Sequence, residues 1–116
     1  MKYVIHHHFT SLEHFDLMFE KDDYLETWQI DLKNFNLFLN GETVKTLLIK
    51  NHSKRYLFYQ GQLSSGKGKI VRYDSGSYQE RLRDQKKIIY ELEGFKLKGT
   101  LNIKPNNGLS WLIDLK

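Results

Sequence analysis

The sequence contains no cysteine, and this excludes disulfide bonds, cysteine-ligated zinc sites and thiol catalysis. Proline occurs once, and no apolar run approaches the roughly 18 residues that a membrane-spanning helix needs. Nothing at the N-terminus resembles a signal peptide, so we expect a cytoplasmic protein that is soluble and has no membrane partner. Long amphipathic helical patterns, linkers and repeats are also missing, which favours a single domain over residues 1–116.

Charge and composition only loosely restrict the partner. The net charge is +4 and the isoelectric point is about 9.2. A basic excess of this size fits a nucleic-acid or phosphate partner without requiring one. Hydrophobic residues make up 40% of the chain and aromatic residues 14%, which is enough to close one core.

Alternation of apolar and polar side chains every two residues is the dominant pattern, and it predicts strands. In segment 14–20 the apolar side chains occupy one face, and the polar ones, together with Met18, occupy the other. Residues 79–87 are charged and lack an apolar stripe, so we expect a solvated excursion with at most one helical turn. Further strands are predicted at residues 3–5, 24–30, 37–39, 43–50, 55–61, 69–74, 88–94, 95–104 and 109–115.

We expect seven or eight of these candidate segments to form short strands separated by Gly and Asn turns, and this pattern predicts an all-β fold. The arrangement would be a compact antiparallel β-barrel or a sandwich with little helix. We expect Trp28 and Trp111 to be mostly buried in its core.

Four of the five histidines lie within residues 6–20, and three interpretations are open. His6–His8 are consecutive, as in a purification tag, although a strand pattern precedes them. A second interpretation is a solvated polar face of a hairpin. In the third, His14 and Asp16 leave one strand face and His8 folds back beside them across a short loop. Two imidazoles and one carboxylate suit Mn²⁺, Fe²⁺, Co²⁺ or Zn²⁺.

The fifth histidine, His52, follows one predicted strand and precedes another in a cationic neighbourhood that includes Lys50, Lys54 and Arg55. It is either an ordinary turn histidine or a phosphate-facing acid or hydrogen-bond donor.

Motifs along nearly the whole chain resemble the 3′-phosphoesterase domain of bacterial and archaeal DNA ligase D. That family opens with a strand ending in histidine, then a His-x-Asp strand six residues on, then a hairpin with a Ser/Thr-Trp pair, here Thr27-Trp28. A tail with Leu-x-Gly and a late Trp-Leu matches residues 97–115. The middle block is matched by His52, Tyr56, Gly61, Gly66, Gly68 and the segment Tyr73–Tyr78.

The resemblance implies a manganese-binding β-barrel that removes a terminal ribonucleoside and then the phosphate from DNA 3′ ends. It implies that the metal ligands are His8, His14 and Asp16, and that His6 and His7 are incidental. His52 and Tyr56 would then face the phosphate as the catalytic pair. Zn²⁺ or Co²⁺ are alternatives to Mn²⁺ as the bound metal.

Two lysines are candidates for contacts with the nucleic-acid backbone of a DNA 3′ end or primer-template. Lys33 follows Trp28, and Lys67 lies in the glycine-rich loop. Taken singly, each lysine fits a solvated surface position better than a nucleic-acid contact. Any ligase or polymerase partner would be a separate chain.

The sequence departs from the family pattern where the phosphate should be clamped. Met18 stands where the family usually has an arginine, which would bind phosphate bidentately. A second family arginine aligns with Val44, and Lys45 beside it would face the other way. The acidic residues before the family histidine are replaced by Lys50 and Asn51.

Three functions therefore remain open from the sequence. The first is a metal-dependent 3′-phosphoesterase in DNA repair, which the complete ligand set favours. The second is a weak or inactive homologue that binds nucleic-acid ends, which Met18 favours. The third is a metal-binding barrel acting on a small phosphorylated molecule.

Overall fold

The computed structural model describes residues 1–116 as nine antiparallel strands, one α-helix and one 3₁₀ helix. Helix α1 spans Leu32–Leu39, and the 3₁₀ helix spans Lys54–Leu57. The strands are β1 Lys2–Phe9, β2 His14–Glu20, β3 Leu25–Asp31, β4 Val44–His52, β5 Gly61–Gln62, β6 Lys69–Arg83, β7 Ile88–Gly94, β8 Lys98–Pro105 and β9 Ser110–Leu115. No helix is long and apolar enough to cross a membrane.

The strands form one sheet in the order β1-β2-β3-β4-β9-β8-β7-β6-β5. An additional pairing between β1 and β6 closes this sheet into a ring, and only the two-residue β5 lies outside it. Closure removes free strand edges, which in an open sheet would pair with other chains. The prediction of an all-β antiparallel barrel with little helix is therefore confirmed.

The alternation in the strands places one set of side chains inside the ring. Phe15, Leu17 and Phe19 of β2 belong to the main core, as predicted. Trp28 is fully buried there, as predicted. Trp111 is only partly buried, and its ring packs edge-to-face on Trp28 with 5.1 Å between ring centroids.

Three segments differ from the strand predictions. Residues 37–39 belong to α1, because Phe35 and Phe38 are spaced for one helical face and both are buried against the barrel. Residues 55–61 were predicted as a strand, but residues 55–57 belong to the 3₁₀ helix. This helix packs on the sheet through its buried Leu57. Residues 79–83 continue β6 and pair with β7, and the turn that follows is held by Asp84, which accepts from the amides of Lys86 and Lys87.

A second, smaller apolar cluster lies on the outer face of the barrel. Val4, Met18 and Leu25 project from β1, β2 and β3 and pack beneath Leu57, with Tyr56 against them. The 3₁₀ helix thus covers part of the outer face of these strands. The polar outer side chains of β1 and β2 lie beside this covered patch.

Helix α1 offers a test of local stability. The side chain of Asp31 accepts a 2.7 Å hydrogen bond from the amide of Asn34 and caps the helix. We expect Asp31→Ala to lower the free energy of unfolding by about 1 kcal/mol, because a free helical amide loses its acceptor. Urea unfolding measures this effect, with Asp31→Asn as the control that keeps an acceptor. Equal losses in both variants would mean that the cap contributes nothing.

Candidate metal centre

The β1–β2 hairpin brings together the residues that the sequence singled out. Its register pairs His8 with His14 and His6 with Asp16. Directly opposed residues of an antiparallel pair project to the same face, here the outer face beside the 3₁₀ helix. His8 therefore reaches the site from within β1. The expectation that it folds back across a short loop is wrong.

Three ligand atoms converge at this point of the hairpin. His8 Nδ1 lies 3.2 Å from His14 Nε2, and His14 Nε2 lies 3.4 Å from Asp16 Oδ2. The third separation, between His8 Nδ1 and Asp16 Oδ2, is 3.9 Å. All of the potential ligand atoms lie within 4.8 Å of one another. One cation could contact all three side chains.

The outward nitrogens of both imidazoles are fixed by backbone carbonyls. His8 Nε2 donates to Lys67 O at 2.9 Å, and His14 Nδ1 donates to Leu12 O at 2.8 Å. In the neutral rings the protons therefore sit outside, and His8 Nδ1 and His14 Nε2 turn their lone pairs inward. Metal-binding histidines are oriented in this way by the partner of their other nitrogen.

The surroundings favour positive charge between these ligands. Burial lowers the pKa of His14, but the hydrogen bond and charge of Asp16 and the carbonyl of Leu12 outweigh it and raise the pKa. Asp16 is buried, and its Oδ1 has no hydrogen-bond partner. Buried carboxylate oxygens normally have partners. A divalent cation fits this site, because it would balance the charge and occupy the inward lone pairs.

The structure separates the two histidines that were set aside in the sequence. His7 points to the barrel side, stacks on Phe9 and Phe15, and contacts Glu13 at 2.6 Å. His6 instead lies on the ligand face with its Nε2 buried and without a partner. Burial lowers the pKa of His6 to about 4, so its imidazole is neutral at pH 7. Alternation along β1 was the sequence signal that could have found it, since His6 and His8 share a face.

A cavity of about 310 Å³ opens beside the three ligands. His52, Tyr56 and Lys67 line it together with His6, His8 and Asp16. The rings of His52 and Tyr56 lie 6.0 Å apart, between centroids, at 72°. The structure thus brings together six of the predicted site residues. His8, His14, Asp16 and His52 lie on β1, β2 and β4, whereas Tyr56 and Lys67 come from the 3₁₀ helix and the glycine-rich loop.

Hydrogen bonds orient the two candidate catalytic side chains. His52 Nδ1 donates to Lys50 O at 3.0 Å, which leaves Nε2 free. The phenolic oxygen of Tyr56 accepts from Arg55 at 3.3 Å and keeps its own proton free for donation. Both groups can therefore present a donor to an oxyanion in the cavity when His52 is protonated.

The structure places the departures from the family pattern as follows. Met18 lines the cavity floor and is 1% exposed, within the small cluster beneath the 3₁₀ helix. Val44 is buried in the barrel core and Lys45 is exposed on β4. Lys33 is exposed in the first turn of α1 and does not line the cavity, so the structure does not bring it to the predicted site.

Two comparisons with known proteins identify the family of this chain. The family model described as "DNA Ligase D 3'-phosphoesterase domain" matches residues 6–104. A protein named "Multifunctional non-homologous end joining protein LigD", from Mycolicibacterium smegmatis, is 29% identical over 125 aligned positions. The alignment covers 96% of this chain but only 16% of that protein. The matched segment includes all three candidate ligands, His52 and Tyr56.

Proposed function

The chain belongs to the DNA ligase D 3′-phosphoesterase domain family, and we propose that it is a metal-dependent enzyme that processes DNA 3′ ends in repair. Its substrates would be DNA 3′ ends or primer-templates carrying a terminal phosphate or ribonucleoside. The metal would be Mn²⁺, with Zn²⁺ or Co²⁺ as alternatives. The named activity of the mycobacterial relative suggests an end-joining context, with a ligase or polymerase as partner.

The observation that carries this proposal is the convergence of three potential ligand atoms at the edge of a cavity that also holds His52, Tyr56 and Lys67. His8, His14 and Asp16 would hold the cation. A divalent cation in that position would neutralise charge on the phosphate oxygens.

The side chains of the chain itself account for the remaining steps. Lys67 and protonated His52 attract the phosphate into the cavity, and the Tyr56 hydroxyl donates to one of its oxygens. A water molecule attacks the phosphorus and forms the new phosphorus–oxygen bond. His52 Nε2 gives its proton to the leaving 3′ oxygen as the bond between that oxygen and phosphorus breaks. The ring is held for this transfer by its hydrogen bond to Lys50 O.

The apolar floor favours a second candidate function, a weak or inactive homologue that binds nucleic-acid ends. Met18 offers no donor to phosphate, whereas a family arginine would offer several. Lys67, Lys50 and His52 line the same cavity and can attract an anion without fixing its orientation bidentately. Binding without rapid turnover would follow from that arrangement.

The two functions are separated by incubating the protein with a primer-template that ends in a 3′-phosphate or in a single ribonucleotide. We expect a free 3′-hydroxyl end to accumulate with Mn²⁺ and not with chelator. Inorganic phosphate release measures the first reaction, and the length of the labelled primer measures the second. Binding of the same DNA with no product at any metal concentration would support the binder and contradict the enzyme.

A further inference from the structure

A second depression adjoins the cavity of the candidate metal centre. It has a volume of about 570 Å³ and shares Tyr56, Leu63 and Lys67 with that cavity, so the two lie side by side. Its remaining wall comes from the 3₁₀ helix, the segment that follows it, and the loop after β5. We call this depression the aromatic groove, lined by Arg55, Tyr56, Phe58, Tyr59, Leu63 and Lys67.

The groove offers aromatic surface to solvent. Phe58 is 68% exposed and Tyr59 is 37% exposed, although large aromatic side chains usually bury most of their area. The hydroxyl of Tyr59 donates to Gln62 O, which fixes its ring. The rings of Tyr56 and Tyr59 stand nearly perpendicular, at 83°, with 6.1 Å between centroids. Exposed aromatic rings beside cationic side chains are stacking surfaces for nucleobases.

The charge of the groove has one sign. Arg55 and Lys67 line it, and neither forms an ion pair with a carboxylate. No acidic side chain lines the groove. The guanidinium of Arg55 lies 5.0 Å from the centroid of the Tyr56 ring, at the boundary with the metal-centre cavity. Cations beside exposed aromatic rings match a polymer that alternates phosphates with bases.

We propose that the aromatic groove binds the nucleotide that carries the processed 3′ group, with its base unpaired and stacked on Phe58 and Tyr59. Arg55 contacts the phosphate on the 5′ side of that nucleotide, and Lys67, which lines both depressions, stays with the 3′ group. This inference rests on the proposed function for the identity of the neighbouring site. It deepens that function by assigning the enzyme a substrate whose terminal base has left its duplex partner.

Fluorescence of 2-aminopurine tests the stacking directly. The probe is a single-stranded DNA oligonucleotide with a 3′-phosphate and 2-aminopurine as its last base, titrated in chelator so that no turnover occurs. We expect quenching on binding, and Phe58→Ala to weaken the affinity about fivefold to tenfold. Phe58→Trp restores it. Phe58 is largely exposed, so its replacement does not endanger folding.

A matched oligonucleotide that is abasic at the last position separates stacking from other effects. Phe58→Ala should leave its affinity unchanged, because there is no base to stack. Phe95→Ala is the second control, since Phe95 is 89% exposed and does not line the groove. Equal losses with the abasic probe, or with Phe95→Ala, would overturn the inference.

Arg55→Ala tests the phosphate contact. The slope of log affinity against log salt should fall by about 0.7, the contribution of one phosphate in a single strand. Lys104→Ala, an exposed lysine on β8, should leave the slope unchanged. Quenching and these slopes do not depend on turnover. If the wild type releases phosphate but does not quench 2-aminopurine fluorescence, only the assignment of the groove fails. If the wild type quenches this fluorescence but releases no phosphate, only the enzymatic function fails.

Discussion

His14→Ala is expected to lower the affinity for Mn²⁺ or Zn²⁺ by more than about 100-fold, because it removes one of three converging ligands. Losing an outer partner of a metal ligand already costs about 10- to 100-fold. His14 Nε2 is also the central atom of the set, 3.2 Å from His8 Nδ1 and 3.4 Å from Asp16 Oδ2. Isothermal titration should find one site in the wild type and none in the variant.

Thermal unfolding gives an independent measure of the same site. A ligand that binds only the folded state stabilises it by about 2.7 kcal/mol at a concentration of 100 Kd. We therefore expect added metal to raise the Tm of the wild type but not the Tm of His14→Ala. Without metal the variant should unfold at a lower temperature than the wild type, because the buried Asp16 loses its 3.4 Å contact with His14 Nε2, so the change in Tm on adding metal is the quantity to compare.

His7→Ala is the matched control, because it removes another imidazole of the same hairpin. His7 lies on the opposite strand face, against Phe9 and Phe15. It should therefore lower the Tm through lost packing while leaving metal affinity unchanged. Unchanged stoichiometry in His14→Ala would exclude this site, and a loss of binding in His7→Ala would point to an unstructured histidine cluster.

Met18→Arg is expected to raise phosphate release from a 3′-phosphate oligonucleotide about tenfold to a hundredfold. Met18 lines the cavity on the same strand face as His14 and Asp16. A guanidinium there can enter the cavity and bind phosphate bidentately, a charge-assisted contact worth about 1.5–3 kcal/mol.

The same substitution disturbs the apolar cluster around Met18, so stability must be measured with activity. Met18 packs with Val4, Leu25 and Leu57, and we expect the arginine to cost about 1–3 kcal/mol of folding free energy. Met18→Leu is the control for packing and should change neither activity nor stability strongly. A folded Met18→Arg protein with no gain would mean that another group already holds the phosphate, or that none is bound.

Most of the barrel could be predicted from side-chain alternation, because a closed sheet buries every second residue of each strand. The segments that differed did so for tertiary reasons. The helix at 32–39 depends on a cap from Asp31 and on a barrel surface that accepts Phe35 and Phe38. A short apolar run is compatible with either a helix or a strand until that surface is present.

The candidate ligands could also be predicted from the sequence, because His14 and Asp16 are two residues apart on one strand. With the first strand predicted only at residues 3–5, alternation does not reach His6 and His7. The structure continues β1 to Phe9, and alternation along it then assigns His6 and His7 to opposite faces. The register that pairs His6 with Asp16 places His6 on the ligand face.

The sequence by itself determined the all-β class, the absence of thiol chemistry, and a His–His–Asp set with metal-ligand character. Those properties follow from composition and local periodicity, which each segment carries alone. Only the tertiary structure decided which nitrogens face inward, because Lys67 O and Leu12 O fix the two imidazoles. It also decided that the aromatic groove meets the metal centre, since that depends on the 3₁₀ helix docking through Leu57 on the outer face of β1 and β2.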